Sequence, residues 1–89
     1  MFGLGGSKRP RALGALEAQV MEVLWAQGEA NVREVAQRLA RPLAYTTVMT
    51  TLDRLYKKGL LERHKRDRAF QYLPRMSREA WERAQRRAS

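Results

Sequence analysis

One stretch limits the possible folds of this chain more than any other. It is residues 43–59, Leu-Ala-Tyr-Thr-Thr-Val-Met-Thr-Thr-Leu-Asp-Arg-Leu-Tyr-Lys-Lys-Gly. At about 100° per residue, Val48, Leu52 and Leu55 fall on one side of a helix. The spacing therefore predicts an amphipathic helix whose apolar side packs against a core. Gly59 follows two lysines, which is typical of the carboxyl end of a helix.

The opposite side of this predicted helix is unusual for a surface that only meets water. It is made of polar side chains, with Thr47 at its margin: Thr46, Thr50, Asp53, Arg54 and Lys57. Threonines stand at positions 46, 47, 50 and 51, although threonine is a mediocre helix former. Short hydroxyl and methyl groups suit a close approach to base edges and phosphates in a DNA groove.

The size of the chain narrows its possible functions. Eighty-nine residues with 44% hydrophobic content make one small domain, without enough apolar material for a buried active-site cleft as well. The chain has no cysteine, no apolar run of the roughly 20 residues that span a membrane, and no apolar signal-peptide segment. We therefore expect a cytoplasmic protein without a membrane partner, a cofactor or a small-molecule substrate.

The charge of the chain points to a polyanionic partner. There are 18 Lys and Arg residues against 9 Asp and Glu residues, a net charge of +9. Residues 54–68 contain seven of the cations and only two acids, so the excess begins at the end of the helix described above. Nucleic acid is the natural partner for this pattern, and the alternative is a basic protein with a solvated surface.

The first two elements of the chain are predicted to be an arm and a helix. Residues 1–12, with three glycines and a basic run, form a flexible basic arm that adds DNA backbone contacts or is simply frayed. A helix follows from Leu13 to Gln27 and ends at Gly28. Its first apolar stripe consists of Leu16, Val20, Val23, Leu24 and Gln27. Its second stripe consists of Met21 and a structural Trp25, which predicts a helix packed between other elements, with Glu17 and Glu22 in water.

A second helix is predicted to begin at Asn31, because Glu34 three residues later completes a capping box. Pro42 stops it, and residues 41–44 make a turn into the threonine-rich helix. Two helices joined by a short turn, the second with a polar DNA-facing side, are a helix-turn-helix. The preceding Glu29-Ala30 segment could add a small strand.

After Gly59 the pattern favours a β-hairpin with strands at 60–65 and 69–73 and a basic tip at 66–68. A last helix is expected from Arg78 to about Arg87, capped by Ser77, with a thin apolar stripe of Trp81, Ala84 and Ala88. The expected fold is mainly α with a small β-hairpin: a winged helix-turn-helix of three helices plus a wing, followed by a short C-terminal helix.

These residues resemble the penicillinase-repressor family, the winged-helix repressors that include the β-lactamase and methicillin-resistance repressors. The resemblance lies in residues 13–25, Val32-Arg33-Glu34-Val35, residues 43–55, Lys58-Gly59-Leu60-Leu61 and Tyr72. It covers about residues 13–74, and the Ala-Tyr-Thr-Thr-Val-Met-Thr-Thr-Leu-Asp-Arg-Leu run is its specific part.

The resemblance implies a dimeric transcriptional repressor that binds a dyad-symmetric operator, with Tyr45–Lys58 as the recognition helix. Members of the family also have a C-terminal helical dimerisation domain. We therefore expect residues 75–89 to dock on residues 13–74 or to begin a truncated dimerisation segment. Cleavage-linked induction depends on that domain, and metal sensing in copper-responsive relatives depends on cysteines, so neither is implied here.

The expected DNA contacts fall into two groups. Base edges are expected to meet residues of the recognition helix: Thr46, Thr47, Thr50 and Arg54, the last of which could also reach a phosphate. The DNA backbone is expected to meet residues of that helix, the wing and the arm: Tyr45, Lys57, Lys58, Arg66, Arg68, Arg9 and Arg11.

Catalysis has little support. His64 is the only histidine and stands between Arg63 and Lys65, so a surface or phosphate-facing side chain is expected rather than a general base. No group of His, Asp and Glu has the spacing of metal ligands. The alternative to a repressor is a winged-helix module that binds protein or RNA without operator specificity.

Overall fold

The computed structural model of the protein describes residues 13–88, and its elements follow the predicted order. They are α1 (Ala15–Gln27), α2 (Val32–Arg38), α3 (Tyr45–Lys57), β1 (Leu61–Arg66), β2 (Ala69–Pro74) and α4 (Arg78–Ala88). The predicted winged helix-turn-helix, mainly α with a small hairpin, is confirmed. The predicted arm, residues 1–12 with Arg9 and Arg11, lies outside the described residues. None of the helices in residues 13–88 combines the length and apolarity that crossing a membrane requires.

The first helix begins two residues later than its apolar pattern predicts. Gly14 is the N-cap, and its backbone N–H donates a 3.0 Å hydrogen bond to Glu17 Oε1. At the other end, Gly28 has a φ of 87° and donates to the Leu24 carbonyl at 2.7 Å, so the predicted stop at Gly28 is confirmed. Gln27 is exposed, which corrects its place in the apolar stripe, because its amide remains in water in the last turn.

The capping box of α2 is confirmed. Asn31 Oδ1 accepts from the Glu34 backbone N–H at 2.8 Å, and Glu34 Oε1 accepts from the Asn31 N–H at 2.9 Å. The helix ends at Arg38, well before Pro42, because Leu39 leaves the helical conformation and turns its side chain into the core. The connection to α3 is therefore residues 39–44 rather than the predicted 41–44.

Helix α3 has the predicted buried side. Val48, Leu52 and Leu55 are each 0% exposed. Thr51 is also buried, and its hydroxyl donates to the Thr47 carbonyl at 2.8 Å. This corrects its place among the surface threonines, because an internal partner for the hydroxyl lets a small polar residue join the core.

The carboxyl end of α3 is closed by a Schellman motif. Gly59 has a φ of 84° and donates to the Tyr56 carbonyl at 3.0 Å, and Leu60 donates to the Leu55 carbonyl at 3.0 Å. The predicted role of Gly59 is thus confirmed. The motif turns the chain sharply from α3 into the hairpin.

The hairpin is antiparallel and shifted slightly from its predicted bounds. Leu61 pairs with Pro74 and Arg63 with Tyr72. The turn at the tip contains Asp67 with a φ of 57°, a conformation that aspartate tolerates better than most residues. The possible strand at Glu29-Ala30 is a single bridge, in which Ala30 and Tyr72 exchange hydrogen bonds of 3.0 and 2.8 Å.

One hydrophobic core joins all of these elements. Helix α1 contacts α2, α3 and β2, as its two apolar stripes predict. The buried apolar side chains are Val20, Met21, Leu24, Ala30, Val32, Val35, Leu39, Val48, Leu52, Leu55, Leu60, Leu61 and Tyr72.

Helix α4 docks on this core rather than standing apart. Ser77 caps it as predicted, accepting from the Ala80 N–H at 3.0 Å, and Trp81 packs partly buried against the core. The Trp25 indole N–H donates to the Met76 carbonyl at 3.0 Å, which gives Trp25 the expected structural role. The exposed Glu22 forms an ion pair with Arg78, so polar contacts also attach α4 to α1.

Candidate nucleic-acid interface

The solvent side of α3 carries three of its four threonines. Thr46, Thr47 and Thr50 are exposed, as is Arg54 one turn beyond Thr50. The first turn of the helix holds no acidic residue, so nothing there would repel a phosphate. The four residues predicted to meet base edges therefore all reach water, with the three threonines in the first half of the helix.

Apolar side chains line the edge of α3 that faces the hairpin. Among residues 13–88, the exposed large hydrophobic side chains are Tyr45 at 55%, Met49 at 42%, Tyr56 at 37% and Phe70 at 39%. The first three lie on α3 and the fourth on β2. Tyr45, Met49 and Phe70 border one groove, which makes this edge of α3 a candidate contact surface. Sequence reasoning did not select Met49 or Phe70, although Met49 stands one helical turn from Tyr45.

An open groove lies between α3 and the hairpin, and two arginines are among the residues that line it. Tyr45, Met49 and Phe70 line it, with Arg33 from α2 and Arg68 from the hairpin tip. Neither arginine has an ion-pair partner in the part of the chain that the structure describes. Arg68 was expected from its sequence position, whereas Arg33 was not, because only the fold carries α2 to the groove.

Two other cations of the predicted interface, Lys57 and Arg66, have acidic neighbours. Lys57 Nζ lies 3.1 Å from Asp53 Oδ2, but its side chain is 73% exposed. Glu29 Oε2 lies 3.3 Å from His64 Nε2 and 3.8 Å from Arg66 Nη1. Exposed pairs of this kind contribute only about 0–1 kcal/mol, so a phosphate can displace the acid. Within residues 13–88 no group of three acidic or histidine side chains could hold a metal ion.

Lys58, predicted to contact the DNA backbone, has an intramolecular partner. Its Nζ lies 2.8 Å from both oxygens of Glu17 on α1, and both side chains are largely covered. Glu17 was expected in water and is instead buried, because it pairs with Lys58 and accepts from the Gly14 N–H. Burial alone raises the pKa of Glu17, but these contacts and the charges of Lys58 and Arg54 outweigh it and lower that pKa.

Arg63 on β1 lies between two aromatic rings. The guanidinium carbon is 4.0 Å from the centre of the Tyr56 ring and 4.4 Å from that of Phe70. Its Nη1 is 3.4 Å from Asp53 Oδ1. Burial by itself lowers the pKa of Arg63, but a hydrogen bond to Tyr72 and its other neighbours raise that pKa, so the side chain stays charged. The sequence places Arg63 in a basic strand and gives no sign of this arrangement.

A comparison of the sequence with known families decides where the chain belongs. The profile of the family described as Penicillinase repressor matches residues 13–88, most of the chain. The chain belongs to the penicillinase repressor family. The resemblance found in the sequence is thereby confirmed, and the match extends through α4.

Relatives in this family are regulators. The chain is 51% identical over 65 residues to the transcriptional regulator BlaI of Mycobacterium tuberculosis, covering 70% of this chain and 47% of that protein. It is 40% identical over 60 residues to the penicillinase repressor of Bacillus licheniformis, covering 65% of this chain and 47% of the relative. The chain thus spans about half the length of the curated relatives it matches.

Solved structures of the family have the same fold. The DNA-binding domain of the repressor BlaI superposes with a TM-score of 0.69 at 33% identity, covering 79% of this chain and 88% of that one. Monomeric Bacillus licheniformis BlaI in complex with the blaP half-operator gives a TM-score of 0.66 at 33% identity, covering 80% and 89% of the two chains.

Proposed function

We propose that this chain is the DNA-binding part of a sequence-specific transcriptional repressor that recognises a dyad-symmetric operator. The observation that carries the proposal is the exposed threonine surface of α3, which lies beside a groove between the unpaired cations Arg33 and Arg68. The similarity to BlaI, whose structure was solved with a half-operator, supports it. The relatives are transcriptional regulators, and no enzymatic activity is proposed.

We propose that α3 enters the major groove with its N-terminal half deepest. Thr46, Thr47 and Thr50 then meet base edges and thymine methyl groups, which suit short hydroxyl and methyl side chains. Arg54 stands in the third turn, where it reaches a guanine at the edge of the groove or a phosphate.

The DNA backbone is proposed to pass between α3 and the hairpin. Arg68 at the tip and Arg33 at the start of α2 line this groove and form no ion pair within residues 13–88. Tyr45 and Lys57 on α3 and Arg66 on β1 add further phosphate contacts around it. Contacts of this type fix the position of the helix on the duplex without selecting sequence.

Lys58 is proposed to act differently from the other cations. Its ammonium is held by Glu17, so it stabilises the position of α3 and adds positive potential near the DNA rather than reaching out alone. Arg9 and Arg11 are proposed as further backbone contacts, because a basic arm beside a winged helix can follow the DNA.

Repression is proposed to be steric and to require two copies of the chain. A dyad-symmetric operator presents two half-sites, which a pair of identical domains reads together. We propose that a homodimer covers the operator in the cytoplasm and blocks the polymerase. Residues 75–89 are proposed to begin the segment that joins the two copies, since α4 follows the wing directly.

The salt dependence of duplex binding tests the proposal. If each domain neutralises about five to eight phosphates, log K should fall with log salt at a slope of about −4.5 to −7. The probes are a duplex selected by the protein from a randomised library and a scrambled duplex of equal length. A flat salt dependence, or failure to select any sequence, would favour the protein- or RNA-binding alternative.

A further inference from the structure

We infer that Arg63 is a positioning residue that locks the hairpin to the recognition helix, and that it is not itself a phosphate contact. The inference rests on the function proposed above. It concerns the one cation of β1 whose guanidinium lies between aromatic side chains of two different elements, Tyr56 on α3 and Phe70 on β2.

Two aromatic rings and one carboxylate contact the guanidinium of Arg63. Ring centres lie 4.0 and 4.4 Å from the guanidinium carbon, within the distance at which cations are attracted to aromatic faces. Asp53, on α3 like Tyr56, lies 3.4 Å from Nη1. The side chain is only 26% exposed, so most of it is withdrawn from a passing phosphate.

Lys65, on the same strand, has different surroundings from Arg63. Lys65 lies two residues further along β1, on the same face of the hairpin, and is exposed. It has no ion-pair partner in the described residues. Arg63 is thus bound internally while Lys65 is available to DNA, although both belong to the basic wing that the sequence predicts.

Because Arg63 lies in the middle of β1, its contacts with α3 affect the position of the whole hairpin. The proposed base contacts lie on α3, and the proposed phosphate contacts Arg66 and Arg68 lie at the far end of the hairpin. A two-stranded hairpin has little rigidity of its own. By joining the middle of β1 to α3, Arg63 fixes the distance between the two sets of contacts, so the wing is already in place when the helix enters the groove.

The first experiment separates a lock from a phosphate contact by using Arg63→Lys. Lysine keeps the charge but loses the flat guanidinium that fits between two rings. We expect about three- to tenfold weaker binding to the selected duplex, because the wing must then be ordered on binding, with an unchanged salt slope. Lys65→Met is the matched control, and it should lower the slope by up to about one.

Two results would overturn the inference. Arg63→Lys with the affinity of the parent protein would mean that charge alone matters. A slope reduced by about one in Arg63→Met would make Arg63 a phosphate contact. Tyr56→Leu provides a second route that leaves Arg63 and Asp53 intact, and we expect it to weaken binding similarly. Melting curves for every variant establish that the folded proteins are being compared.

A distance measurement tests the lock without DNA. The chain has no cysteine, so spin labels can be placed through Gln37→Cys on α2 and Lys65→Cys on β1. We expect a single narrow distance distribution in the parent and a broader one in folded Arg63→Lys. Equal widths would overturn the inference. If the parent failed to bind DNA, the proposed function would fail, while this measurement would still decide whether Arg63 holds the wing.

Discussion

Glu17 connects the start of α1 to the end of α3 through one carboxylate. It accepts from the Gly14 N–H at the start of α1 and pairs with Lys58 at the end of α3, at 2.8 Å. A charge this well covered is stable only with good partners, and removal of either partner leaves the other without compensation. Glu17 therefore stabilises the position of α3 from the side of α1.

Replacement of Glu17 should reveal this role through pH. Because the pKa of Glu17 is lowered in the folded protein, its contribution to the free energy of unfolding exists above its unfolded pKa, near 4.5, and disappears as the pH falls through its folded pKa. In urea titrations, we expect Glu17→Gln to lower the free energy of unfolding by about 1–3 kcal/mol at pH 7. The difference from the parent should become progressively smaller below about pH 4.5.

The exposed Glu62 provides the control for that titration. It lies 3.7 Å from Arg75 with most of its side chain in water, so Glu62→Gln should change the free energy of unfolding by less than about 0.5 kcal/mol. If Glu17→Gln lowered the free energy of unfolding equally at every pH, the shape of the side chain, and not the ion pair, would explain the effect.

Thr50 and Thr51 are adjacent in sequence and differ in their surroundings. Thr50 is exposed, while Thr51 is buried with its hydroxyl bonded to Thr47. We expect Thr50→Ala to change the bases selected from a randomised duplex library with little effect on scrambled DNA. Thr51→Ala should instead lower the melting temperature and keep the base preference. Equal loss of affinity on selected and scrambled duplexes in Thr50→Ala would contradict base contact.

At the scale of elements, α3 is held by its buried side and is proposed to act through its exposed one. Leu52 is 0% exposed and central to the contact of α3 with the core. We expect Leu52→Ala to destabilise the domain by about 2–5 kcal/mol, measured by urea unfolding, because it leaves a cavity. A substitution on the other side, Thr46→Ala, should leave the unfolding curve within about 0.5 kcal/mol.

The hairpin is proposed to act through the charge at its tip. Arg68 has no ion pair within residues 13–88 and borders the groove. We expect Arg68→Ala to weaken binding to selected and scrambled duplexes alike and to reduce the salt slope by about one. Arg75→Ala, at the opposite end of β2 and paired with Glu62, is the matched control. Unchanged affinity for scrambled DNA in Arg68→Ala would exclude the tip contact.

The elements of this fold could be predicted from local sequence because their signals are local. Val48, Leu52 and Leu55 repeat at helical spacing, and Asn31 with Glu34 forms a cap within one turn. The contacts that shape the site join distant residues instead. Lys58 lies 41 residues from Glu17, and Arg33 reaches the groove only after α2 packs on α3. No periodic pattern contains such information, so Arg33, Met49, Arg63 and Phe70 were missed, and Thr51 was placed on the wrong side.

At the scale of the whole molecule, the proposed dimer can be tested by measuring the mass of the protein–DNA complex. Two domains that are joined bind a two-fold operator far more tightly than separate ones, because the second contact becomes intramolecular. We expect light scattering to give two chains per selected palindromic duplex and one chain per half-site duplex. A mass of one chain per palindrome at saturating protein would contradict paired recognition by this chain.

The bridge between Ala30 and Tyr72 has a mechanical consequence. Its two hydrogen bonds join the base of the hairpin to the link between α1 and α2. If DNA contacts the wing as proposed, a force on the hairpin passes along β2 to this bridge, whose residues Ala30 and Tyr72 are both buried. We expect such a force to reach α1 through this link, and α4 through its contacts with α1.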